Sequence, residues 1–410
     1  MSVQMASRTH PLESSGSATV DVSIVMPCLN EAGCLATCIG NAEEALSLIA
    51  FRFGMSGEIV VADNGSTDGS QLIAVQQGVR VVDVAKRGYG AAMIGGGQAA
   101  CGRYIVFGDA DGSYDFRESV AMIEALEGGA DLCMGSRFRG RIAAGAMPWK
   151  NRYLGNPILT GLLNLLYGAG VSDAHCGLRA VTRETFIGLR LSGAGMEFAS
   201  EMLIKAALQK RRIAEVPTTL SVDLRDRAPH LRPWRDGWRH MRYLFMLSPS
   251  SVFVAPAMIG LIIAMLIFAA ALLQATFPQL PPRFGNYWVI AASALAALGH
   301  QTLILALAAH IYGVREGYRL RGRKAAAVAG IVSLESMLIS GLVFVIAGLA
   351  VLVATTVSWS ARDFGPTYFV LPAVGGTLLL MLGAQNIFGG FLLSVIAGNE
   401  ARFLGDGTAT

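Results

Sequence analysis

The chain has 410 residues, of which 53% are hydrophobic, and 33 lysine and arginine residues stand against 29 aspartate and glutamate residues. The mean hydropathy of +0.49 is too high for an ordinary soluble enzyme, and the charged first half excludes a purely membrane-embedded protein. The sequence therefore predicts two unlike parts. The small net charge of +4 gives no reason to expect a nucleic-acid partner.

The N-terminus and the cysteines indicate the compartment. Residues 1–20 are rich in serine and small residues and lack the apolar core of a secretory signal, so we expect a flexible tail. All six cysteines precede residue 180 and show neither the spacing of a disulfide framework nor a paired zinc-binding motif. This usage is typical of free thiols in a reducing cytosol.

Residues 21–224 alternate short apolar runs with helical patterns, which is typical of an α/β domain built on a doubly wound, mainly parallel sheet. The predicted strands are 22–26, 58–62, 79–84, 104–107 and 131–135, and the predicted helices are 31–50, 67–77, 90–101 and 116–127. Because ligands bind beyond the carboxyl ends of such strands, the loops that follow them are the first candidates for a functional site.

Polar residues follow the first two predicted strands. Residues 27–31 close the first strand, with Asn30 as a candidate N-cap for the first helix. Residues 63–70, rich in Asp, Asn, Gly and Ser, close the second strand. Loops and helix N-termini that meet at one edge of a sheet suit a nucleoside diphosphate. For residues 63–70, an ordinary polar turn is an equal alternative.

Two carboxylates, Asp109 and Asp111, come directly after the continuously apolar strand 104–107. At the end of a buried strand they face a cleft, and two oxygen ligands suit Mg²⁺ or Mn²⁺ bound together with a substrate diphosphate. The alternative is that both are turn or N-cap residues before a helix that starts near residue 116.

Basic residues gather in two later regions. Three arginines, at 137, 139 and 141, follow the fifth strand, and Lys150 and Arg152 open a helical segment that continues to about residue 167. The segment 225–248 combines arginines with Trp234 and Trp238 at helical spacing, which is typical of a helix at a membrane surface. An ordinary surface helix packed through its tryptophans is the alternative for this segment.

The region 249–400 contains four apolar segments, at 251–276, 287–312, 327–357 and 367–397, each long enough to span a membrane. The connection 313–325 carries five basic residues, while the connections 277–286 and 358–366 carry one arginine each. The excess of positive charge on cytoplasmic loops then predicts that residues 21–224 and the C-terminal tail 401–410 face the cytoplasm from the inner membrane.

Polar residues also lie inside or next to these spans: His300, Gln301, His310, Glu335, Gln385 and Asn386. Contacts between packed helices are one interpretation, and a path for a lipid or its headgroup is the other. We favour packing.

The ordered motifs resemble those of the family 2 inverting glycosyltransferases, which have a GT-A nucleotide-sugar domain. They are Pro27-x-x-Asn30-Glu31, residues 63–69, and Asp109-Ala110-Asp111. The similarity continues through 135–138, 173–179 and 215–217 toward the polyprenyl-phosphate branch, the dolichyl-phosphate mannose and glucose synthases. No Gln-x-x-Arg-Trp motif of processive polymer synthases is present, so a single transfer is expected.

The resemblance implies a role for each motif residue. Contacts to the nucleotide sugar are implied for Pro27, Glu31 and Asp63, and we group Asn64 and Ala110 with them, although many relatives have a second aspartate at the position of Asn64. The resemblance implies that Asp109 and Asp111 bind the metal and the diphosphate, and that Arg137 binds the acceptor phosphate.

Charge gives a second argument on the acceptor side. A lipid phosphate that approaches a negative diphosphate needs cations beyond the metal. Arg137 and Arg152 are the first candidates, and Arg225 and Arg232 are further ones. A solvated basic face is the alternative interpretation of such clusters.

These observations predict transfer of one sugar, glucose or mannose, from UDP- or GDP-hexose to polyprenyl phosphate. Two alternatives stay open. Transfer to a lipid hydroxyl, as in ceramide glucosylation, would need a carboxylate base such as Asp173, Glu197 or Glu201. A scaffold that kept a nucleotide-binding fold without activity is the other. The oligomeric state is open, with a homo-oligomer as one option.

Overall fold

The computed structural model of the chain describes residues 20–225, 233–248, 250–277, 285–319, 332–365, 370–399, 401 and 403. The predicted tail 1–20 lies outside these residues apart from Val20, and so does Arg232. All six cysteines are inside them and are free thiols, as the sequence predicted.

One seven-stranded sheet forms the centre of the first domain. Its strands are β1 (Val22–Cys28), β2 (Gly57–Asp63), β3 (Arg80–Asp83), β4 (Tyr104–Phe107), β5 (Leu132–Ile142), β6 (Arg179–Thr182) and β7 (Ile213–Leu220). The spatial order is β3-β2-β1-β4-β6-β5-β7. Only β6 runs antiparallel to its neighbours, so the predicted mainly parallel sheet is confirmed.

In the part of the first domain that the structure describes, eight helices accompany the sheet. They are α1 (Leu35–Phe53), α2 (Ser70–Gln76), α3 (Tyr89–Ala99), α4 (Ser119–Glu127), α5 (Asn156–Tyr167), α6 (Arg183–Gly188), α7 (Phe198–Leu208) and α8 (Pro233–Met246). A 3₁₀ turn over Phe116–Glu118 precedes α4, and a π-helical turn over Asn151–Gly155 precedes α5. Helices α1 and α4 cover one face of the sheet, and α3, α5 and α7 cover the other, which gives two separate apolar cores.

The first helix begins later than the sequence predicted. Helix α1 starts at Leu35, so the assignment of Asn30 as its N-cap is wrong. Asn30 has a left-handed backbone (φ 59°), and its side-chain oxygen accepts a hydrogen bond from the backbone N–H of Thr67 at 2.7 Å. Asn30 therefore joins the loop after β1 to the loop after β2, which is a long-range contact that local helix signals do not report.

Within the described residues, four further helices are long and apolar enough to cross a membrane. The candidate spans are Val252–Thr276, whose regular part is α9 (Ala255–Thr276), α10 (Asn286–Arg315), α11 (Leu334–Ser360) and α12 (Leu371–Ala397). The predicted number of spans is confirmed. Helix α10 packs against α9 and α12, and α12 packs against α11.

Polar residues in these helices contact one another. His300 Nδ1 lies 2.9 Å from Gln385 Oε1, and Asn386 donates to Ser340 Oγ at 3.1 Å. These bonds join α10 to α12 and α12 to α11. For these residues the structure supports helix packing, the interpretation that the sequence favoured.

The C-terminal end of α10 joins the membrane helices to the sheet domain. Tyr318 is buried in the core that contains α7, with the Lys205 ammonium 5.4 Å from its ring centre. Arg319 donates to the carbonyl of Leu247 just after α8, and Gln209 donates to the carbonyl of Gly317. The residues just after α10, up to Arg319, therefore lie against the sheet domain, on the side where α8 also packs.

Candidate active site

Three adjacent strands deliver their C-terminal ends to one edge of the sheet. Strand β1 pairs in parallel with both β2 and β4, so the loops after these three strands are neighbours. The first two loops are joined by hydrogen bonds: the backbone N–H of Glu31 donates to Ser70 Oγ, and that of Ala32 donates to Asp68 Oδ2, both at 2.9 Å. The predicted convergence at one edge is therefore present.

Asp63 is fully buried at the end of β2. Its carboxylate accepts hydrogen bonds from the backbone N–H groups of Gly65 and Ser66 and from the Gln71 side chain. Burial alone would raise the pKa of Asp63, but these hydrogen bonds outweigh it and lower the pKa. The carboxylate thus remains ionised and shapes the turn from which a nucleoside contact would be made.

Asn64 joins the loop after β2 to the segment that leads into α3. Its amide donates to the carbonyls of Val84 and Lys86, both at 2.8 Å, and its side-chain oxygen accepts from the Gly88 N–H at 2.7 Å. An aspartate could not donate to two carbonyls. This explains why asparagine stands here, whereas the predicted contact to the nucleotide sugar stays a prediction, as it does for Pro27 and Ala110.

Asp111 has two differently used oxygens. Oδ1 accepts from the backbone N–H and the hydroxyl of Ser113, at 2.9 and 2.6 Å. Oδ2 lies 2.9 Å from Nη2 of Arg225. The N-cap of the following helical turn is Asp115, which accepts from the Arg117 N–H, so the alternative of Asp109 and Asp111 as N-caps is wrong.

Asp109 lies two residues closer to the end of β4 than Asp111 does. The side chain of Tyr89 lies beside the Asp109 carboxylate. A Cβ at Gly177 would stand 2.5 Å from Asp109 Oδ2, so glycine is required where the segment before β6 approaches this carboxylate. Burial, together with the negative charge of Asp111, raises the pKa of Asp109 to about 6.

The donor set of Asp109 and Asp111 fits a hard divalent cation. Two neighbouring carboxylates repel each other when both are ionised, and a cation bound between them relieves this repulsion. Among the described residues, no group of three or more His, Cys, Asp or Glu side chains is arranged to hold a metal. Proteins usually bind Mg²⁺ through one or two carboxylates, and substrate phosphates and water supply the remaining ligands.

Glu31 and Arg225 meet beside this pair. Arg225 Nε lies 3.1 Å from Glu31 Oε2, and both side chains are largely buried. The thiol of Cys34 donates to the carbonyl of Ala110, which fixes the start of α1 against the loop of Asp109 and Asp111. The structure thus brings Glu31, predicted at the nucleoside, and Arg225, predicted at the acceptor, to one place.

Arg137 is held by Asp173. Its guanidinium donates to both carboxylate oxygens of Asp173, at 2.6 and 2.8 Å, and its backbone N–H donates as well. Asp173 is fully buried and Arg137 is 9% exposed. Although burial disfavours the charged guanidinium, Tyr114 and Asp173 raise its pKa, so Arg137 remains a cation at this edge of the sheet.

Arg152 contacts its neighbour Tyr153, with the guanidinium 5.5 Å from the ring centre. It belongs to the π-helical turn before α5, where Tyr153, Ile158 and Leu165 are exposed by 60% or more. On α8, Trp238 is 61% exposed, whereas His240 and Leu244 face the core. The structure does not bring Arg152 into contact with Arg137, and the interfacial location of α8 stays a prediction.

The three candidate bases for a hydroxyl acceptor differ in their surroundings. Asp173 forms an ion pair with Arg137. Glu201 is fully buried, where it pairs with Lys205 at 2.7 Å and accepts hydrogen bonds from the N–H groups of Ser192 and Gly193. Glu197 accepts a hydrogen bond from the Gly195 N–H. Neither Asp173 nor Glu201 has a carboxylate oxygen left unpaired for proton abstraction.

Two contributions were missed from sequence. Tyr89, the first residue of α3, lies beside Asp109, and none of the motifs quoted from the sequence includes it. Asp173 was considered as a base and not as the partner of Arg137. A tyrosine between two glycines at a helix start was a usable signal, whereas the pairing of residues 36 positions apart was not.

The fold and the site together define a membrane-attached α/β enzyme with a carboxylate pair at the strand ends. Residues 23–189 match the family described as glycosyl transferase family 2, and residues 307–397 match the glycosyltransferase family 2 C-terminal transmembrane region. The chain belongs to glycosyltransferase family 2, and it is a membrane glycosyltransferase.

Two relatives show how far the similarity extends. The chain is 34% identical over 380 residues to the low-salt glycan biosynthesis hexosyltransferase Agl6 of Haloferax volcanii, covering 91% of this chain and 88% of that one. It is 28% identical over 211 residues to the polyprenol monophosphomannose synthase of Mycolicibacterium smegmatis, covering 48% and 76%.

Solved structures of other glycosyltransferases match part of the chain. Glucosyl-3-phosphoglycerate synthase from Mycobacterium tuberculosis, in complex with Mn²⁺, UDP and glucosyl-3-phosphoglycerate, is 23% identical with a TM-score of 0.41, over 57% of this chain and 80% of that one.

Proposed function

We propose that this enzyme transfers one hexosyl group, glucose or mannose, from UDP- or GDP-hexose to polyprenyl phosphate with inversion at the anomeric carbon. The main supporting observation is that a carboxylate pair and a buried arginine, Arg137, occupy one edge of a sheet domain whose core also contains Tyr318, three residues after the apolar helix α10. The names of the relatives, a hexosyltransferase and a polyprenol monophosphomannose synthase, agree with this assignment.

The state of the carboxylates favours a phosphate acceptor over a hydroxyl. A phosphate monoester is already largely ionised near pH 7, so it needs alignment and charge stabilisation but no strong base. Of the three candidate bases for a hydroxyl acceptor, Asp173 and Glu201 are used in buried ion pairs, and Glu197 alone keeps a carboxylate oxygen without a hydrogen-bond partner among the described residues.

Each group at the site then has a defined task. Asp109 and Asp111 would hold Mg²⁺ or Mn²⁺, which neutralises charge on the leaving nucleoside diphosphate. Asp63 and Asn64 hold the loop that faces the nucleoside. Arg137, oriented by Asp173, binds the acceptor phosphate and aligns it with the anomeric carbon.

The membrane side of the domain suits a lipid acceptor. Exposed Tyr153, Ile158 and Leu165 accompany Arg152, and exposed Trp238 lies on the basic helix α8. Apolar and aromatic side chains combined with arginines bind at the headgroup level of a membrane. We place this face on the cytoplasmic surface of the inner membrane, in agreement with the basic connection after α10.

One assay tests the proposal. Purified full-length protein is incubated with polyprenyl phosphate, Mg²⁺ or Mn²⁺ and a panel of labelled UDP- and GDP-sugars, and the label extracted into lipid is counted. We expect one donor to give a single-sugar lipid product. Transfer to ceramide but not to polyprenyl phosphate would support the hydroxyl alternative. Binding of a donor without any transfer would support the scaffold.

A further inference from the structure

Arg225 bridges two carboxylates that belong to different loops. Its Nη2 lies 2.9 Å from Asp111 Oδ2, and its Nε lies 3.1 Å from Glu31 Oε2. The Arg225 side chain is 16% exposed, and the two carboxylates are exposed by 10% or less. A buried guanidinium between two carboxylates neutralises only part of their charge, so the cluster keeps a net negative charge.

The backbone before Arg225 is fixed along the loop of Asp109 and Asp111. Leu224 N–H donates to the Asp111 carbonyl at 2.8 Å, and Ser221 N–H donates to the Ser113 carbonyl at 2.9 Å. Gly112 has a left-handed backbone, and a Cβ there would stand 2.6 Å from Leu224. Arg225 is therefore anchored at its backbone, and its long side chain keeps the guanidinium within reach of the site.

A divalent cation and Arg225 compete for the same oxygen. Oδ1 of Asp111 is already used by the N–H and hydroxyl of Ser113, which leaves Oδ2 as the oxygen that faces a cation. In the structure that oxygen is paired with Arg225. Two cations on one carboxylate oxygen repel each other, so binding of a metal at Oδ2 displaces the guanidinium.

We propose that Arg225 is an exchangeable counter-ion of the metal site. It neutralises Asp111 and Glu31 before substrate binds, leaves Asp111 when the divalent cation arrives, and then pairs with the diphosphate of the donor. The planar guanidinium presents two parallel donors that match phosphate oxygens. The inference rests on the proposed sugar-nucleotide donor, and it moves Arg225 from the acceptor phosphate to the donor side.

Two affinities that should change in opposite directions test this role. The full-length protein in detergent is titrated with Mn²⁺ alone, followed by the spin-resonance signal of free Mn²⁺, and with UDP and GDP at saturating Mn²⁺. For Arg225→Ala we expect about five-fold tighter binding of Mn²⁺ alone, because the competitor is gone, and about ten-fold weaker binding of the nucleotide. Arg225→Lys should lie between wild type and Arg225→Ala in both measurements.

Arg117→Ala is the matched control. Arg117 also pairs with two carboxylates, Asp115 and Glu44, but its guanidinium is exposed and contacts neither Asp111 nor Glu31. We expect both constants to stay at the wild-type values, and equal melting temperatures will show that all variants are folded.

Each contrary result has a distinct meaning. If Arg225→Ala weakens Mn²⁺ and nucleotide binding together, Arg225 only supports the structure, and the exchange is refuted. If both constants are unchanged and only the KM for polyprenyl phosphate rises, Arg225 belongs to the acceptor site. If wild-type protein makes no lipid product, while Arg225→Ala still binds Mn²⁺ more tightly and nucleotide more weakly than wild type does, the proposed acceptor is refuted and the exchange stands. Wild-type protein that binds no Mn²⁺ would refute both the exchange and the proposed metal.

Discussion

Four aspartates lie near the active edge of the sheet, and their chemically identical side chains have different surroundings. Asp63 accepts backbone hydrogen bonds and shapes a turn, whereas Asp173 neutralises Arg137. Asp109 and Asp111 are crowded together, so burial and like charge raise the pKa of Asp109 to about 6. The environment of each carboxylate, and not its identity, is the reason why we propose Asp109 and Asp111 as the metal ligands.

The first prediction concerns these two residues. Asp109→Asn or Asp111→Asn keeps the shape of the side chain but removes a charged metal ligand, so turnover should fall by about 100-fold or more. Initial rates of sugar transfer to lipid measure the loss, and a chelator should reproduce it in wild-type protein. Asp115→Asn is the control, because Asp115 caps a helical turn nearby, and it should stay near the wild-type rate.

The second prediction separates acceptor from donor recognition. Arg137→Ala should raise the KM for polyprenyl phosphate by at least about ten-fold and leave nucleotide affinity within a few-fold of wild type, because Arg137 is proposed to bind only the acceptor. Arg137→Lys keeps the charge but loses the planar fork held by Asp173, so it should recover activity only in part.

The control for Arg137 is Arg141→Ala, an exposed arginine on the same strand. We expect no change in either constant. Weaker nucleotide binding in Arg137→Ala, with the acceptor KM unchanged, would assign Arg137 to the donor site instead.

At the scale of elements, sequence patterns predicted those structures that local signals determine. The continuous apolar run of β4 and the lengths of the four membrane spans were sufficient. Strand β6, with only four residues, and β7, which contains Pro217 at the sheet edge, were not predicted, since neither has the pattern of a buried parallel strand. The start of α1 was predicted too early because Asn30 bonds to a distant loop.

The third prediction concerns the buried ion pair of α7. Glu201→Gln leaves the Lys205 ammonium with less compensation in a buried site, so the free energy of unfolding should fall by roughly 3 kcal/mol. Denaturant unfolding measures this loss. Glu184→Gln, at an exposed position with only a distant cation, should change stability little. A large loss of turnover in folded Glu201→Gln without loss of stability would restore Glu201 as a candidate base.

The fourth prediction concerns the packing of α11 against α12. A Cβ at Gly383 would stand 2.6 Å from the carbonyl oxygen of Gly341, so Gly383→Ala forces the two backbones apart. We expect a loss of about 1–3 kcal/mol, as for overpacked cores, detected as a lower melting temperature in detergent. Gly375→Ala on the same helix meets no atom within 4 Å and should not lower the melting temperature. Equal melting temperatures for the two variants would refute this packing.

At the scale of the whole molecule, the two domains were predicted from sequence, whereas the contacts between distant segments were not. The edge of the sheet that holds the site followed from strand order, because parallel strands end on the same side. The contact of Tyr318 and Lys205 across the two domains and the pairing of Arg225 with Asp111 depend on tertiary packing, which residue spacing does not encode. Arg225 was therefore predicted on the acceptor side, while the structure pairs it with Asp111 and Glu31.

The fifth prediction tests which side of the membrane carries the sheet domain, and the wild-type chain contains its own probe. Cys101 is exposed, whereas the other five cysteines are buried, and burial raises the pKa values of Cys34, Cys38 and Cys133 to about 12. Thiols without accessible thiolate react slowly, so Cys101 should dominate labelling.

If the sheet domain faces the cytoplasm, a membrane-impermeant maleimide will label wild-type protein only after cells are permeabilised, and Cys101→Ser will abolish the label. Arg362→Cys in the Cys101→Ser background lies in a connection with one arginine, so it should be labelled in intact cells. Labelling of Cys101 in intact cells, together with protection of Arg362→Cys, would reverse the topology and place the donor site outside the cytoplasm. Since nucleotide sugars are made in the cytoplasm, that result would also contradict the proposed donor.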